Sequence, residues 1–250
     1  MTSVDIVIPV YNEEQSLALS IGHLRDFCLR DLAYDWNIVI ADNGSTDGTG
    51  QIGRELAAEL KDVRYVHLPE KGRGRALRKV WLEGPADIVC YMDVDLSTRL
   101  DALPRLIDAM AKDGFDLACG SRVVKGSRIT RSLKREAISR GYIALTKLLF
   151  RNKFTDAQCG FKGATRRAVQ ALVPLVKNNG WFFDTELLLL AEMAGFRAKD
   201  IPVTWVEDPT SSVKIWKTAL EDVRGLLRVR FRPPPQLREV RRRLANGELA

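Results

Sequence analysis

Histidine and paired cysteine are scarce in this sequence, and long apolar runs are missing. His23 and His67 are the two histidines, too few for a histidine-built metal centre, and both read as structural or surface groups. The four cysteines, Cys28, Cys90, Cys119 and Cys159, are widely spaced and form no Cys-x-x-Cys pair. That argues against a zinc site and a disulfide framework. Cys90 and Cys119 lie in apolar, strand-like runs, so reduced, buried thiols in a cytosolic protein are expected. No apolar stretch reaches the ~18 residues of a membrane-spanning helix, and Met1-Thr2-Ser3-Val4-Asp5 does not resemble a secretory leader.

The chain has 250 residues with 46% hydrophobic content, enough for one large domain with an ordinary core. Net charge is +7, and much of the excess gathers between Lys125 and Arg151 and beyond Lys214. Such charge draws anionic partners: nucleic acid, a membrane surface or a phosphorylated substrate. The basic stretches carry no known nucleic-acid motif, which argues against nucleic acid.

Short apolar runs at residues 4–10, 36–41, 63–68, 88–92 and 117–121 alternate with amphipathic stretches at 13–30, 46–60, 73–82 and 100–112. Strands alternating with helices predict an α/β fold with a mostly parallel central sheet flanked by helices. Ligands then sit beyond the carboxyl ends of the strands, where loops 11–14, 42–48 and 93–97 fall. Further on, helices are expected at 136–151, 166–176 and 182–193, a turn or short strand at 160–165, and a late strand at 199–205. Residues 213–231 form an amphipathic basic helix that Pro233-Pro234-Pro235 ends. The charged remainder, 236–250, reads as a frayed helix or disordered tail.

Asp93-Val94-Asp95 closes the fourth apolar run. At a strand's period of two, both carboxylates leave on the same side. Two close carboxylates repel unless a cation sits by them, and Mg²⁺ typically combines one or two carboxylates with substrate phosphates. The pair therefore suggests Mg²⁺ or Mn²⁺ on a diphosphate, against a plainer reading as a strand end before a capped helix.

Three motifs stand in order at strand ends: Pro9-Val10-Tyr11-Asn12-Glu13-Glu14, Asp42-Asn43-Gly44-Ser45-Thr46-Asp47-Gly48-Thr49 and Asp93-Val94-Asp95. This set resembles the family-2 glycosyltransferases, which carry the GT-A nucleotide-sugar fold. Within that family the chain is similar to the polyprenyl-phosphate (dolichyl-phosphate-type) glucosyl- and mannosyltransferases. The resemblance rests on Lys71-Gly72-Arg73-Gly74-Arg75-Ala76, Gly120-Ser121-Arg122, Ser132-Leu133-Lys134-Arg135, Gln158-Cys159-Gly160-Phe161-Lys162, Trp181-Phe182-Phe183-Asp184-Thr185-Glu186 and Ile201-Pro202-Val203-Thr204-Trp205. The Gln158 and Trp205 segments lean toward the glucosyl type.

The resemblance implies a GT-A domain over residues 1–212, with a nucleotide-binding half at 1–122 and an acceptor half at 123–212. The basic helix at 213–232 and the charged tail at 233–250 follow. A UDP- or GDP-linked sugar would meet Pro9, Tyr11, Glu13, Asp42, Lys71, Gly72, Asp93 and Gln158. Asp95 leads as metal ligand, with Asp93 sharing the ion or touching the ribose, and Asp184 joins them as a catalytic carboxylate. Asp184 and Glu186, two apart on a helix, cannot face the same group. A lipid phosphate monoester has a second pKa of about 6 and needs no strong general base. It needs a cationic cradle, for which Arg122, Arg131, Lys134 and Arg135 stand ready.

Two other functions fit less well. A soluble or glycan hydroxyl acceptor would require a working carboxylate base, with Asp184 the first choice. A non-catalytic nucleotide- or nucleic-acid-binding module would leave the Asp93/Asp95 pair without a purpose. Many relatives carry transmembrane helices, and none is predicted here, so a lipid acceptor would be reached by surface attachment or through a separate membrane protein. In the basic helix, Val213, Trp216, Leu220, Val223, Leu227 and Phe231 recur on one face, with Lys214, Lys217, Arg224, Arg228, Arg230 and Arg232 around it. That pattern fits a helix lying in an anionic interface on the cytoplasmic side of a membrane, and equally a helix packed on its own domain.

Overall fold

Apolar runs and amphipathic stretches alternate in the computed structural model as the sequence leads one to expect. The structure describes residues 1–130, 133–206 and 215–249, with side chains for all but 133–135 and 215–217. The first half runs β1 (Ser3–Val10), α1 (Leu17–Asp31), β2 (Asp35–Asn43), α2 (Thr49–Glu59), β3 (Val63–Leu68), α3 (Arg73–Glu83), β4 (Ile88–Met92), α4 (Leu103–Ala111) and β5 (Leu117–Ser121). Then follow β6 (Arg128–Thr130), α5 (Leu133–Phe150), β7 (Phe161–Thr165), α6 (Arg166–Leu172), α7 (Phe183–Ala194), β8 (Ala198–Pro202) and β9 (Thr204–Val206). Two helices end the chain, α8 (Ile215–Phe231) and α9 (Leu237–Ala245).

Seven strands form one sheet in the order β3-β2-β1-β4-β7-β5-β8. All its neighbours pair in parallel except β7, which runs antiparallel between β4 and β5. This reversal places the start of β7 at the edge where β1, β2 and β4 end, with Phe161 opposite Met92. The loop before β7 therefore joins the ligand-binding edge. A short parallel pair, β6 with β9, forms beside it.

Each face of the sheet has its own apolar layer. Val4, Ile6 and Ile8 point from β1 toward Leu17, Ile21 and Leu24 of α1 and Leu106 of α4. Val7 points the other way, into a layer with Leu77 and Trp81 of α3, Leu188 of α7, and Leu226 and Val229 of α8. The alternation follows from the two-residue period of a strand covered on both sides.

Several boundaries differ from the sequence reading for identifiable reasons. Helix α1 starts at Leu17, not at 13, because Asn12 takes φ +57° and the next residues turn, with Ser16 N–H donating to the Glu13 carbonyl at 3.2 Å. The late strand is two strands: β8 ends at Pro202 beside β5, and β9 pairs with β6. The charged tail is an ordered helix. In α9, Leu237 is buried and Val240 and Leu244 pack against the core, a narrow apolar stripe at helical spacing inside a strongly polar sequence.

Candidate active site

The first part of the site is the seam between the β1 and β2 loops. Asn12 N–H donates to Ser45 Oγ at 3.0 Å, Thr46 N–H to Asn12 Oδ1 at 2.8 Å, and Gly48 N–H to Glu14 Oε2 at 2.7 Å. Asn43, at the end of β2, donates to the Val10 carbonyl at 2.6 Å and accepts from Gly72 N–H at 3.1 Å. Three separate sequence motifs are thereby fixed to one another. Gly72 has φ +156° and a Cβ there would lie 2.7 Å from the Asn179 carbonyl oxygen, so glycine is required. The Lys71 ammonium sits 3.3 Å from the centre of the Tyr11 ring.

Asp42 is 1% exposed. Burial would raise its carboxyl, but hydrogen bonds from Ser45, Tyr65 and His67 outweigh that and hold it below the ordinary range. Tyr65 Oη donates to it at 2.6 Å and Ser45 N–H at 2.9 Å, while His67 Nδ1 lies 3.3 Å away. Beside it opens a cavity of about 320 Å³, whose walls include Asp42, Ser45, Asp47, Arg54, Tyr65 and His67. Sequence reasoning missed Tyr65 and His67 here. They alternate along β3 and lean on Asp42 across the β2–β3 pair, a register visible only in the sheet. Glu13 is turned partly to its own loop, its Oε2 accepting from Ser16 Oγ at 2.7 Å.

The second part lies at the end of β4. The strand stops at Met92, so Asp93 and Asp95 are brought together by a turn and not by strand periodicity. Leu96 N–H donates to the Asp93 carbonyl at 3.1 Å, and Leu96 itself takes φ +50°, an uncommon conformation for such a residue. Asp95 is exposed, one oxygen accepting from Ser97 N–H at 2.9 Å. Asp93 reaches solvent with 41% of its side chain. Removal of its carboxyl from water raises its pKa, Arg73 lowers it, and Asp95 and Asp184 raise it again, leaving it above the ordinary range.

Beneath Asp93 lies a cluster of charges. Arg73, the first residue of α3, lies 3.4 Å from Asp93 Oδ1 and 3.2 Å from Asp184 Oδ2. It donates to Tyr91 Oη at 2.8 Å and stacks against the Tyr91 and Trp181 rings. Lys162, 2% exposed on β7, lies 3.7 Å from Asp184 Oδ2 and donates to Tyr91 Oη at 3.3 Å. Asp184 opens α7 and is 5% exposed at its side chain, and its Oδ1 has no partner in the interior. The depth of Lys162 was not legible, because a lone lysine in a glycine-flanked run reads as surface.

Asp184 and Glu186 do separate jobs, as their spacing requires. Glu186 is fully buried and accepts from Arg228 Nη1 and Nη2 at 2.7 and 2.8 Å, and from Asn178 N–H at 2.9 Å. Helix α8 is also held by Asn178 Nδ2, which donates to Glu221 at 2.7 Å, and by Gln158 Nε2, which donates to Asp222 at 3.0 Å. Asp222 is 3% exposed and went unnoticed in the sequence, where it reads as the polar face of a helix.

On the expected acceptor side, Arg122 is committed to Asp156, donating through Nε at 2.7 Å and Nη2 at 3.0 Å, with its guanidinium 5.3 Å from the Trp205 ring centre. Burial would raise the Asp156 carboxyl, but Arg122 holds it below its usual range. Arg131 and the side chains of Lys134 and Arg135 lie outside the described residues. Pro9 is the penultimate residue of β1, beside Ala41. All four cysteines are free and buried, and burial pushes the Cys28 thiol up to about 12 and Cys159 to about 11.

Comparison with known proteins bears on the family and the fold. The family model for glycosyl transferase family 2 matches residues 5–173. Glycosyltransferase AglD of Haloferax volcanii is 34% identical over 228 residues, covering 89% of this chain and 35% of the relative. The chain thus spans about a third of that relative's length. Dolichyl-phosphate beta-glucosyltransferase of Saccharomyces cerevisiae is 28% identical over 247 residues, covering 91% of this chain and 74% of the relative. Among solved structures, glucosyl-3-phosphoglycerate synthase from Mycobacterium tuberculosis, in complex with Mn²⁺ and UDP-glucose, superposes with a TM-score of 0.67 at 18% identity, covering 93% of this chain and 80% of the other. That likeness establishes the GT-A-type α/β fold.

Proposed function

As the chain belongs to glycosyl transferase family 2, we propose that it transfers a sugar from a nucleotide-sugar donor to a polyprenyl phosphate, inverting the anomeric centre. The observation that carries this reading is one sheet edge holding both the Asp42 cavity and the Asp93/Asp95 turn, with Arg73 and Lys162 behind them. The acceptor class follows from the polyprenyl-phosphate relatives.

The donor base and ribose sit against Asp42, between Pro9, Tyr11 and Glu13 on one side and Lys71 and Gly72 on the other. The diphosphate extends toward Asp93 and Asp95. Asp93 and Asp184 face two cations, Arg73 and Lys162, Asp95 adds a third carboxylate acting on Asp93, and Asp184 Oδ1 is an orphaned buried acceptor. This local excess of negative charge fits a divalent cation, Mg²⁺ or Mn²⁺, held through Asp95 and Asp93. Among the described residues no three ligating side chains converge on one point, so the remaining positions go to the diphosphate and water, as is usual for Mg²⁺. Such an ion, when bound, neutralises charge on the departing nucleotide. Arg73 and Lys162 hold Asp184 in place, and Arg73 ties it to Asp93.

A phosphate oxygen is already nucleophilic near neutral pH. The chain then has to aim it and exclude water, for which Arg131, Lys134 and Arg135 are the proposed cations. The hydroxyl-acceptor alternative is less well supported, because Asp184 is enclosed and both facing cations approach its Oδ2.

No helix among the described residues is long and apolar enough to cross a membrane. Helix α8 offers another route to the lipid. It buries Leu226 and Val229 in its own domain but exposes Leu220 (53%), Val223 (37%), Leu227 (44%) and Phe231 (72%). Exposed Arg224, Arg230 and Arg232 accompany that row. This face would lie on the cytoplasmic surface of an anionic membrane or against a membrane partner.

The test is transfer from UDP- or GDP-linked glucose and mannose by purified protein, with Mn²⁺ or Mg²⁺. A short polyprenyl phosphate, its alcohol and a soluble glycan are offered separately. Product on the phosphate alone is expected. Transfer to the alcohol or glycan with none to the phosphate would overturn the acceptor assignment.

A further inference from the structure

Asp222 is a buried carboxylate that the proposed chemistry leaves without a task. It lies in α8 and is 3% exposed. Among the described residues it forms no ion pair, and Gln158 Nε2 donates to its Oδ2 at 3.0 Å. The titratable groups acting around it are Glu221 on α8, Asp184 on α7 and Tyr142 on α5. A carboxylate so placed meets negative neighbours and one neutral donor.

Gln158 is exposed and stands in the loop before β7. Its backbone N–H donates to Asp156 Oδ1 at 3.2 Å, and two residues on the Gly160 carbonyl accepts from Asp93 N–H at 3.2 Å. Gln158 thus lies between the Arg122–Asp156 pair and the Asp93 turn. Its carboxamide is planar, with two donors at one end and an acceptor at the other. An ionised Asp222 takes the NH₂ end, which turns the carbonyl oxygen away from Asp222. A protonated Asp222 donates to the carbonyl oxygen instead, and the NH₂ end is turned outward. Phosphate oxygens of a dianion accept and do not donate, so these two orientations are unequal for an anionic ligand.

We propose that Asp222 is a positioning residue for the anionic acceptor: carrying its proton, it turns the Gln158 amide so that the NH₂ group meets the acceptor phosphate, and without the proton it withdraws that donor. The inference rests on the polyprenyl-phosphate reading. Its placement suits that reading, because Asp222 belongs to the helix whose opposite face is the proposed membrane surface. Burial raises the Asp222 carboxyl, the Gln158 bond lowers it, and Glu221 and Asp184 raise it again, to about 7. The proton is therefore exchanged near neutral pH.

The experiment measures acceptor KM with a short polyprenyl phosphate from pH 6.5 to 8.5, at saturating nucleotide sugar and metal. Wild type should show an acceptor KM that rises several-fold across this range while the donor KM stays flat. Asp222→Asn, which keeps a neutral hydrogen-bonding side chain, should hold a low and flat acceptor KM. Gln158→Glu replaces the donor by a carboxylate, with its unfolding midpoint measured alongside, and should raise the acceptor KM at every pH. Gln158→Ala should be high and flat, and adding Asp222→Asn to it should change nothing. The phosphate's own ionisation, at about 6, is common to all variants and cancels in their ratio. A wild-type pH dependence that persists unchanged in Asp222→Asn, or a normal acceptor KM in Gln158→Glu, overturns the proposal. Wild type that transfers only to a neutral hydroxyl overturns the function on which it rests.

Discussion

The carboxylate of Asp93 fills the space that a side chain on Gly160 would need. A Cβ on Gly160 would overlap the Asp93 carboxyl group, and the Gly160 carbonyl also accepts from Asp93 N–H. The loop before β7 therefore sets where this carboxylate stands. Gly160→Ala should displace Asp93 and lower kcat/KM by about tenfold or more, at an overpacking cost of about 1–3 kcal/mol in stability. Steady-state kinetics beside urea denaturation check both. Full activity in this variant would show that the Asp93 carboxylate has no fixed place in the reaction.

Asp95 is exposed, and its one described hydrogen bond is to the following turn. Asp95→Asn should leave the fold intact and remove the divalent-dependent part of nucleotide-sugar binding. Titration calorimetry with and without Mn²⁺ reads this out. Equal enhancement by Mn²⁺ in wild type and variant would remove Asp95 as a ligand.

Much of the donor side was legible because its residues sit where apolar runs stop. Asp42 lies at the end of β2 and Asp93 directly follows β4, and a parallel sheet delivers strand ends to one edge. The Asp93/Asp95 pair was singled out by a periodicity that does not apply, since both residues occupy a turn and not a strand. Other parts were hidden for physical reasons. Strand β7 is five residues long, contains Lys162 and Gly163, and owes its central place to β4 and β5 on either side. Nothing local marks Lys162 as buried. Asp222 and Arg228 read as the polar side of an amphipathic helix, yet α8 turns them inward to Gln158 and Glu186. The tail helix α9 was read only as a frayed helix or a disordered tail, because three apolar residues among arginines give a faint stripe.

Arg228 is not a free surface cation. It is the partner of a fully buried carboxylate, Glu186, in the same helix turn as Asp184. Arg228→Ala should strand that charge and destabilise the fold by about 3 kcal/mol, toward the low end for a broken buried pair because Arg228 is itself 30% exposed. Chemical denaturation gives the value. Arg224→Ala, on an exposed position, should cost less than about 0.5 kcal/mol. Similar losses in the two variants would deny the pair its anchoring role.

Asp222 carries a stability signature of its own. Its folded pKa, about 7, lies above the ordinary value of about 3.9 for an unfolded aspartate. Between those values the folded state holds a proton that the unfolded state has lost, so stability falls as pH rises through that window. Asp222→Asn removes this penalty. It should stabilise the protein at pH 8 by up to about 4 kcal/mol and leave it nearly unchanged at pH 4. Thermal unfolding followed at both pH values checks the sign. A variant less stable than wild type at pH 8 would show that the ionised carboxylate contributes to the fold.

The membrane prediction takes a different form once the partners of α8 are known. Leu220, Val223, Leu227 and Phe231 are exposed on a helix whose other side is already packed. A row of this kind loses water contact in the headgroup region, and each nearby Lys or Arg adds about 1 kcal/mol on an anionic surface. Charge reversal has to avoid Arg228, because its loss would disturb Glu186 and confuse binding with unfolding. Arg224, Arg230 and Arg232 are the exposed cations to reverse. Wild type should sediment with anionic vesicles, weaken as salt is raised, and bind neutral vesicles poorly. The triple variant Arg224→Glu, Arg230→Glu, Arg232→Glu should lose anionic binding and keep its unfolding midpoint. Leu227→Ser with Phe231→Ser should weaken binding at every salt concentration, since an apolar contribution is not screened. Unchanged sedimentation in both variants would place the lipid contact elsewhere on the chain.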